Sequence, residues 1–87
     1  MTRIEKIRAA LDELHPESVE IEDESHKHAG HAGAASGHGH YKLKIVAACF
    51  SGLPLIARHR RVYEALGTLM KTDIHALAIE ARASGEQ

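Results

Sequence analysis

The clearest alternating segment of the chain is Tyr41-Lys42-Leu43-Lys44-Ile45, which runs directly into Val46-Ala47-Ala48-Cys49-Phe50. Apolar side chains at every second position are typical of a β-strand with one buried face and one solvated face. The apolar run that follows suits a strand that becomes more buried toward its end. We therefore predict a strand over residues 41–50.

A second alternating segment precedes this strand, over residues 18–23, where Val19 and Ile21 alternate with two glutamates. Opposite charges on neighbouring strands are favourable, so the lysines of the later strand are expected to face these glutamates in a hairpin. The connection, residues 25–39, is almost entirely His, Gly, Ala and Ser. Such a segment has too little apolar surface to offset the entropy of ordering it, and we predict a flexible loop.

Helical patterns flank the two strands. Residues 2–5 match a capping box, in which a Thr hydroxyl and a Glu carboxylate accept hydrogen bonds at a helix start, and the apolar spacing predicts a helix to Leu14. Pro54 suits the first turn of a second helix that ends before Gly67. One face of that helix carries Leu55, Ile56, His59, Val62, Tyr63 and Leu66.

The remaining elements follow the second helix. Leu69 and Met70 belong to a short third helix, and residues 74–83 alternate as a third strand with His75, Leu77, Ile79 and Ala81 on one face. We expect residues 84–87 to be a frayed tail. The predicted fold class is α+β, in the order α-β-β-α-α-β, with a three-stranded mixed sheet and the helices on one face.

Length and charge limit the function. The chain has 87 residues, 11 Lys+Arg against 12 Asp+Glu, and one cysteine. We predict one domain over residues 1–87, and this length and the single cysteine argue against a two-domain enzyme, a disulfide framework and a CxxC motif. No segment has the length of a membrane span or the apolar core of a signal peptide, so we expect a cytoplasmic protein without a membrane partner.

Three motifs together resemble the BolA family. They are Phe50-x-Gly52 leading into Arg58-His59-Arg60, then Tyr63-x-x-Leu66, and Ile74-His75-Ala76-Leu77 at the start of the last strand. The loop, with Asp23-Glu24-Ser25-His26-Lys27-His28 and later His40-Tyr41, is similar to the subgroup with histidine there. The resemblance covers about residues 3–83 and implies a type II KH-like fold. The chain departs from the family in having His38-Gly39 before His40-Tyr41.

The resemblance also implies a function. In BolA proteins the residue matching His75 binds a [2Fe-2S] cluster shared with a monothiol glutaredoxin, whose cysteine and bound glutathione supply the thiolates. A second ligand is expected from the loop, with His28 and His40 as the two alternatives. The isolated chain is then expected to carry no cofactor and to act on no small-molecule substrate. The expected role of the complex is in cluster trafficking or iron sensing.

Other interpretations of the histidines compete with this one. Taken by itself, the strand alternation places His75 on the same face as Leu77, Ile79 and Ala81, which indicates a partly buried core residue. The histidine-rich loop by itself indicates unselective metal scavenging, which we accept for His26, His31 and His38. His59 is expected to be structural, and Cys49 to be a small buried residue.

A function of another class is DNA binding by a transcriptional regulator. Arg58, Arg60, Arg61 and Lys71 form a local basic patch that would contact phosphates. Three aromatic residues offer little platform for stacking on single strands. An enzyme is not expected, since no HExxH motif occurs and the serines cluster in loops.

Overall fold

The N-terminal helix forms where the sequence predicts it. In the computed structural model, which describes residues 2–24 and 39–86, helix α1 spans Arg3–Leu11 and continues as a 3-10 turn over Asp12–Leu14. The Thr2 hydroxyl accepts a hydrogen bond from the Glu5 N–H, and the Glu5 carboxylate accepts one from the Thr2 N–H. The predicted capping box is therefore confirmed.

The three strands form one mixed sheet. Strand β1 spans Ser18–Asp23, β2 spans Gly39–Val46 and β3 spans Ile74–Arg82, in the spatial order β1-β2-β3. Strand β2 pairs antiparallel with β1 and parallel with β3. The predicted α+β class with a three-stranded mixed sheet is confirmed.

The register of β1 against β2 agrees with the charge pattern. Glu20 lies opposite Lys44, and Glu22 lies opposite Lys42. Opposite charges at directly facing positions favour this pairing, and a one-residue slip would turn every apolar side chain to the wrong face. The alternation in the sequence therefore specifies the hairpin register.

The core lies on one face of the sheet, beneath the helices. Tyr41, Leu43 and Ile45 of β2 are buried, whereas Lys42 and Lys44 on the opposite face are exposed. The buried side of β2 belongs to one apolar cluster with residues of the helices, the 3-10 turn and β3, among them Ile7, Leu11, Phe50, Val62, Leu66, Ile74 and Ala81.

Strand β2 is shorter than predicted. It ends at Val46, and Ala48–Phe50 forms a 3-10 turn instead of continuing the strand to residue 50. In this turn the N–H of Phe50 donates to the carbonyl of Ala47, so the backbone is satisfied locally. The apolar character of the run reflects the burial of Phe50 in the core and not strand pairing.

Two helices separate β2 from β3. Helix α2 spans Leu55–Leu66 and α3 spans Leu69–Thr72, as predicted, with Gly67 in a left-handed conformation between them. No helix within residues 2–24 and 39–86 is long and apolar enough to cross a membrane.

The apolar face that the sequence gives α2 is buried only in part. The buried residues are Arg58, Val62 and Leu66, whereas Leu55, Ile56 and Tyr63 are 65%, 63% and 43% exposed. A helical wheel assigns an arginine to the solvent because a buried guanidinium requires several acceptors. The fold supplies those acceptors at Arg58, and α2 is therefore rotated relative to the expected orientation.

The segment after β3 was expected to fray, yet it is attached to the domain up to Glu86. The Ser84 hydroxyl donates to a carboxylate oxygen of Glu17 at 2.5 Å. The Glu86 carboxylate accepts hydrogen bonds from the Arg58 guanidinium and from the N–H of Ala83. These contacts connect residues 84–86 to Glu17 before β1, to α2 and to Ala83, which follows β3.

The Glu86 contacts make stability depend on pH. Hydrogen bonding to Arg58, and then to Ala83 N–H, lowers the pKa of Glu86 to about 2 from its ordinary value of 4.5. A carboxyl whose pKa is lower in the folded state stabilises the fold above its unfolded pKa, and that contribution is lost as pH falls. We expect Glu86→Gln to melt at a lower temperature than wild type at about pH 7, with the two melting temperatures converging toward pH ~2. A difference that stays constant over this range, measured by thermal unfolding, would contradict the assignment.

Candidate metal site

Two histidines meet where β2 and β3 begin. The strands are parallel, so their first residues lie at the same edge of the sheet, with Gly39 opposite Ile74 and His40 opposite Ala76. The centroids of the His40 and His75 rings are 4.9 Å apart, with the ring planes inclined at 49°. The structure therefore brings together two of the three predicted ligand candidates.

A β-bulge sets the position of His75. Successive pairs step from Gly39–Ile74 to His40–Ala76, so His75 is the additional residue of β3 at the register shift. Bulges interrupt the alternation of a strand and redirect a side chain. As a result Ile74 is only 2% exposed, whereas His75 is exposed. The interpretation of His75 as a core histidine is therefore wrong.

His40 differs from His75 in its environment. It is 8% exposed, and both of its ring nitrogens are buried. Its carbonyl accepts a hydrogen bond from the N–H of Glu24 at 2.8 Å. Beside it lies a pocket of about 280 Å³, lined in the described part of the chain by Glu24, His40, Tyr41, Ala76, Leu77 and Ala78.

The third candidate, His28, lies outside the described residues, as do His26, His31 and His38. The choice between His28 and His40 as second ligand therefore stays open. Among residues 2–24 and 39–86, no group of three or more His, Cys, Asp or Glu side chains is arranged to hold a metal ion.

A polar cluster that the sequence did not indicate supports the start of β3. The Asp73 carboxylate lies 3.6 Å from Nε of Arg3 and 3.4 Å from Nζ of Lys6, and it accepts a hydrogen bond from the Thr72 hydroxyl at 2.6 Å. The Thr72 hydrogen bond, followed by that of Lys6, holds the pKa of Asp73 below its ordinary value. The carbonyl of Asp73 accepts from the N–H of Gly39 at 3.1 Å, which ties this cluster to β2.

Tyr41 packs against the backbone just before His40. A Cβ atom built at Gly39 would overlap the Tyr41 ring, so only glycine fits at position 39 with the ring in its present place. Burial, followed by the nearby charge of Asp23, raises the pKa of the Tyr41 hydroxyl. Gly39 therefore makes room for a core aromatic residue next to His40.

We expect Gly39→Ala to destabilise the fold by about 1–3 kcal/mol, because the added methyl group forces the Tyr41 ring out of its position. The free energy of unfolding, measured in urea, gives the size of the effect. The matched control is the same substitution in a Tyr41→Val background, where the clash is removed and the cost of Gly39→Ala is expected to shrink. An equal cost in both backgrounds would show that the ring is not the cause.

The other residues considered as ligands lie elsewhere. Cys49 is a free, half-buried thiol in the 3-10 turn that follows β2. His59 is half-buried on α2, where it lines a second pocket, of about 360 Å³, together with Leu55, Arg58 and Ile79.

The predicted basic patch loses one member. Arg58 is 8% exposed, and its guanidinium is engaged by the carbonyls of Leu53 and Ala81 and by the carboxylate of Glu86. In this arrangement Arg58 is not available to a phosphate. The exposed members of the predicted set are Arg60, Arg61 and Lys71.

Comparison with known proteins identifies similar chains. The family model described as BolA-like protein matches residues 11–86. Protein BOLA1, chloroplastic, of Arabidopsis thaliana is 40% identical over 88 aligned residues, which cover 97% of this chain and 55% of that protein. The chain thus spans about half the length of this relative.

A bacterial relative and a solved structure extend the comparison. The DNA-binding transcriptional regulator BolA of Escherichia coli K12 is 39% identical over 75 residues, covering 86% of this chain and 66% of the relative. The solved BolA domain of SufE1 from Arabidopsis thaliana superposes with a TM-score of 0.84 at 37% identity, covering 100% of this chain and 98% of that domain.

Proposed function

The chain belongs to the BolA family, and from this membership we propose that it is a non-enzymatic partner of a monothiol glutaredoxin in the cytoplasm. In this proposal the two proteins form a heterodimer that shares a bridging [2Fe-2S] cluster. His75 supplies one ligand from this chain, and His28 or His40 supplies the other. The complex serves iron-sulfur cluster trafficking or iron sensing.

The observation that carries the proposal is the exposed His75 ring beside His40, with 4.9 Å between the ring centroids. A cluster shared between two proteins has to be held at a surface, and the exposed imidazole of His75 is accessible to a partner that docks there. Neutral imidazole is a competent ligand for iron. The residues at this edge therefore fit the chemistry of half a shared ligand set.

The two histidine rings differ in how accessible they are to a cluster. His75 is accessible as it stands, whereas the nitrogens of His40 are buried and its ring has to turn outward before it can ligate. The hydrogen bond from Gly39 N–H to the Asp73 carbonyl connects the starts of β2 and β3. When bound, the cluster supplies redox chemistry, and replacing thiolate by histidine ligands raises its potential.

The proposal is tested by adding the chain to a monothiol glutaredoxin that carries its glutathione-ligated cluster, and by recording size-exclusion profiles and visible circular dichroism. We expect a 1:1 species with an altered cluster spectrum. His59→Ala is the matched control, since this histidine lies on α2 and is expected to leave the complex unchanged. If the glutaredoxin keeps its own spectrum and elutes separately, the proposal fails.

The complex is expected to depend on pH. Histidine ligates in its neutral form, and free histidine side chains take up a proton near pH ~6.5. Assembly of the mixed complex is therefore expected to weaken as pH falls from about 8 to about 5.5. The measurement is the fraction of heterodimer at each pH, with the cluster-loaded glutaredoxin alone as reference. A flat profile would count against histidine ligation.

A second candidate function is DNA binding in transcriptional regulation, and the name of the Escherichia coli relative favours it. Arg60, Arg61 and Lys71 are the exposed cations that would contact phosphates. Phosphate contacts predict an affinity that falls steeply with salt. This candidate fails if binding to duplex DNA is insensitive to salt or to an Arg60→Ala/Arg61→Ala double substitution.

A further inference from the structure

Arg58 is held rigidly inside the domain. Its Nε donates to the carbonyl of Leu53 at 2.9 Å, and its Nη1 donates to the carbonyl of Ala81 at 3.1 Å. These two bonds connect α2 with the turn before it and with β3. A guanidinium has five N–H donors in a planar fork, so the edge carrying Nη1 and Nη2 still presents donors for an anion.

That edge binds a carboxylate with the geometry of a receptor. Nη1 and Nη2 donate to the two carboxylate oxygens of Glu86 at 2.6 and 2.7 Å, in the bidentate arrangement that arginine and carboxylate favour. The N–H of Ala83 donates at 3.0 Å to Oε1 of Glu86, the oxygen that Nη1 of Arg58 also contacts. Three donors from fixed parts of the domain therefore converge on one carboxylate group.

The two partners differ in how firmly they are placed. The Arg58 side chain is 10% exposed, whereas the Glu86 side chain is 41% exposed. Glu86 lies beyond the last strand and directly after Gly85, whose φ of +80° marks a turn. The guanidinium thus belongs to the domain interior, whereas the carboxylate is presented by an exposed segment beyond the last strand.

The space beside the carboxylate is suited to the carbon stem of a ligand. The pocket of about 360 Å³ next to Arg58 has Leu55 and Ile79 as its apolar part, and its polar lining consists of Arg58, His59, Glu80, Arg82 and Glu86. Leu55 is 65% exposed, so it offers apolar surface that no part of the described chain covers. A short aliphatic carboxylate therefore fits the combination of apolar wall and cationic fork.

We propose that Arg58 and the N–H of Ala83 form a carboxylate-binding site that Glu86 fills from within the chain and that a carboxylate from outside takes when Glu86 is displaced. Without Glu86, the largely buried guanidinium would lose its ion-pair partner within residues 2–24 and 39–86, and an unpaired buried charge favours capture of another anion. The ligand class is a carboxylate on a short apolar stem, either a free acid or a glutamate side chain of another protein.

The test uses chemical rescue of the full chain. Glu86→Ala is melted in propionate and in sodium chloride of equal ionic strength, and wild type is melted in parallel. We expect propionate to raise the melting temperature of the variant and to act at about a tenfold lower concentration than on wild type, because Glu86 competes at a high effective concentration within the chain. Glu86→Gln provides a second variant if the alanine variant does not fold.

Two further comparisons make the result specific. Propionamide, which lacks the charge, is expected not to rescue Glu86→Ala. Propionate is expected not to rescue the double variant Glu86→Ala/Arg58→Lys, in which lysine keeps the positive charge but lacks the planar fork of arginine. N-acetylglutamate amide distinguishes the sources: rescue by it at lower concentration than by propionate indicates a protein side chain as the natural occupant, and the reverse indicates a free acid. Rescue no better than that by chloride, or undiminished by Arg58→Lys, overturns the proposal.

Discussion

Replacing His75 by alanine is expected to abolish the cluster-bridged complex with a monothiol glutaredoxin. His75 is exposed at the β-bulge of β3, where a docking partner has direct access to its ring. Loss of groups that merely support a metal ligand typically costs 10–100-fold in affinity, so loss of a ligand is expected to cost more than about 100-fold. The readout is the fraction of 1:1 species in size exclusion, together with the cluster spectrum.

The same substitution is expected to leave the free chain almost as stable as wild type. Exposed positions outside special structural features usually change the free energy of unfolding by less than about 0.5 kcal/mol. This separates a loss of ligation from a loss of folding. An intact complex with an unchanged spectrum in His75→Ala would show that this ring does not hold the cluster.

The second ligand is identified by comparing His28→Ala with His40→Ala in the same assay. The His40 ring is buried at 8% exposure, so His40→Ala is expected to lower the stability of the free chain as well. His28→Ala has to be judged by the complex alone. Whichever variant changes the cluster spectrum without preventing folding names the ligand.

The second large effect is on folding, and it tests the orientation of α2. Leu66 is 2% exposed and belongs to the core, whereas Leu55 on the same helix is 65% exposed. We expect Leu66→Ala to lower the free energy of unfolding by about 2–5 kcal/mol, because it removes buried methyl groups and leaves a cavity. Leu55→Ala is the matched control, with an expected change of less than about 0.5 kcal/mol.

Urea unfolding at equilibrium measures both values. The same chemical change is made on one helix, so differences in helix propensity between leucine and alanine cancel in the comparison. Equal losses of stability at the two positions would mean that α2 packs through Leu55, as its apolar pattern alone predicts. A large loss at Leu66 only would show that Leu55 lies outside the core, in agreement with the arrangement that has Arg58, Val62 and Leu66 inside.

Local patterns in the sequence were sufficient for most of the architecture. The alternation of Tyr41, Leu43 and Ile45 with two lysines identifies β2 and its buried face, and the matching glutamates identify its neighbour. The capping box at Thr2 identifies the start of α1. These signals succeed because each depends on residues close together in the chain or on a strict period of two.

Features that depend on distant partners were not predictable. Arg58 is buried because acceptors at Leu53, Ala81 and Glu86 converge on it, and no local pattern shows this. The β-bulge that exposes His75 arises from the pairing of β2 with β3, so strand parity alone placed this histidine on the wrong face. The proximity of His40 and His75 is likewise a product of the parallel pairing.

The most direct test of the central claim is to label the histidines of this chain alone with ¹⁵N, assemble the complex with unlabelled cluster-loaded glutaredoxin, and reduce the cluster for pulsed electron paramagnetic resonance. The account predicts ¹⁵N hyperfine couplings from two histidines of this chain, and both are expected to be absent in His75→Ala, which does not form the complex. Spectra that are identical for labelled and unlabelled chains would contradict histidine ligation by this protein.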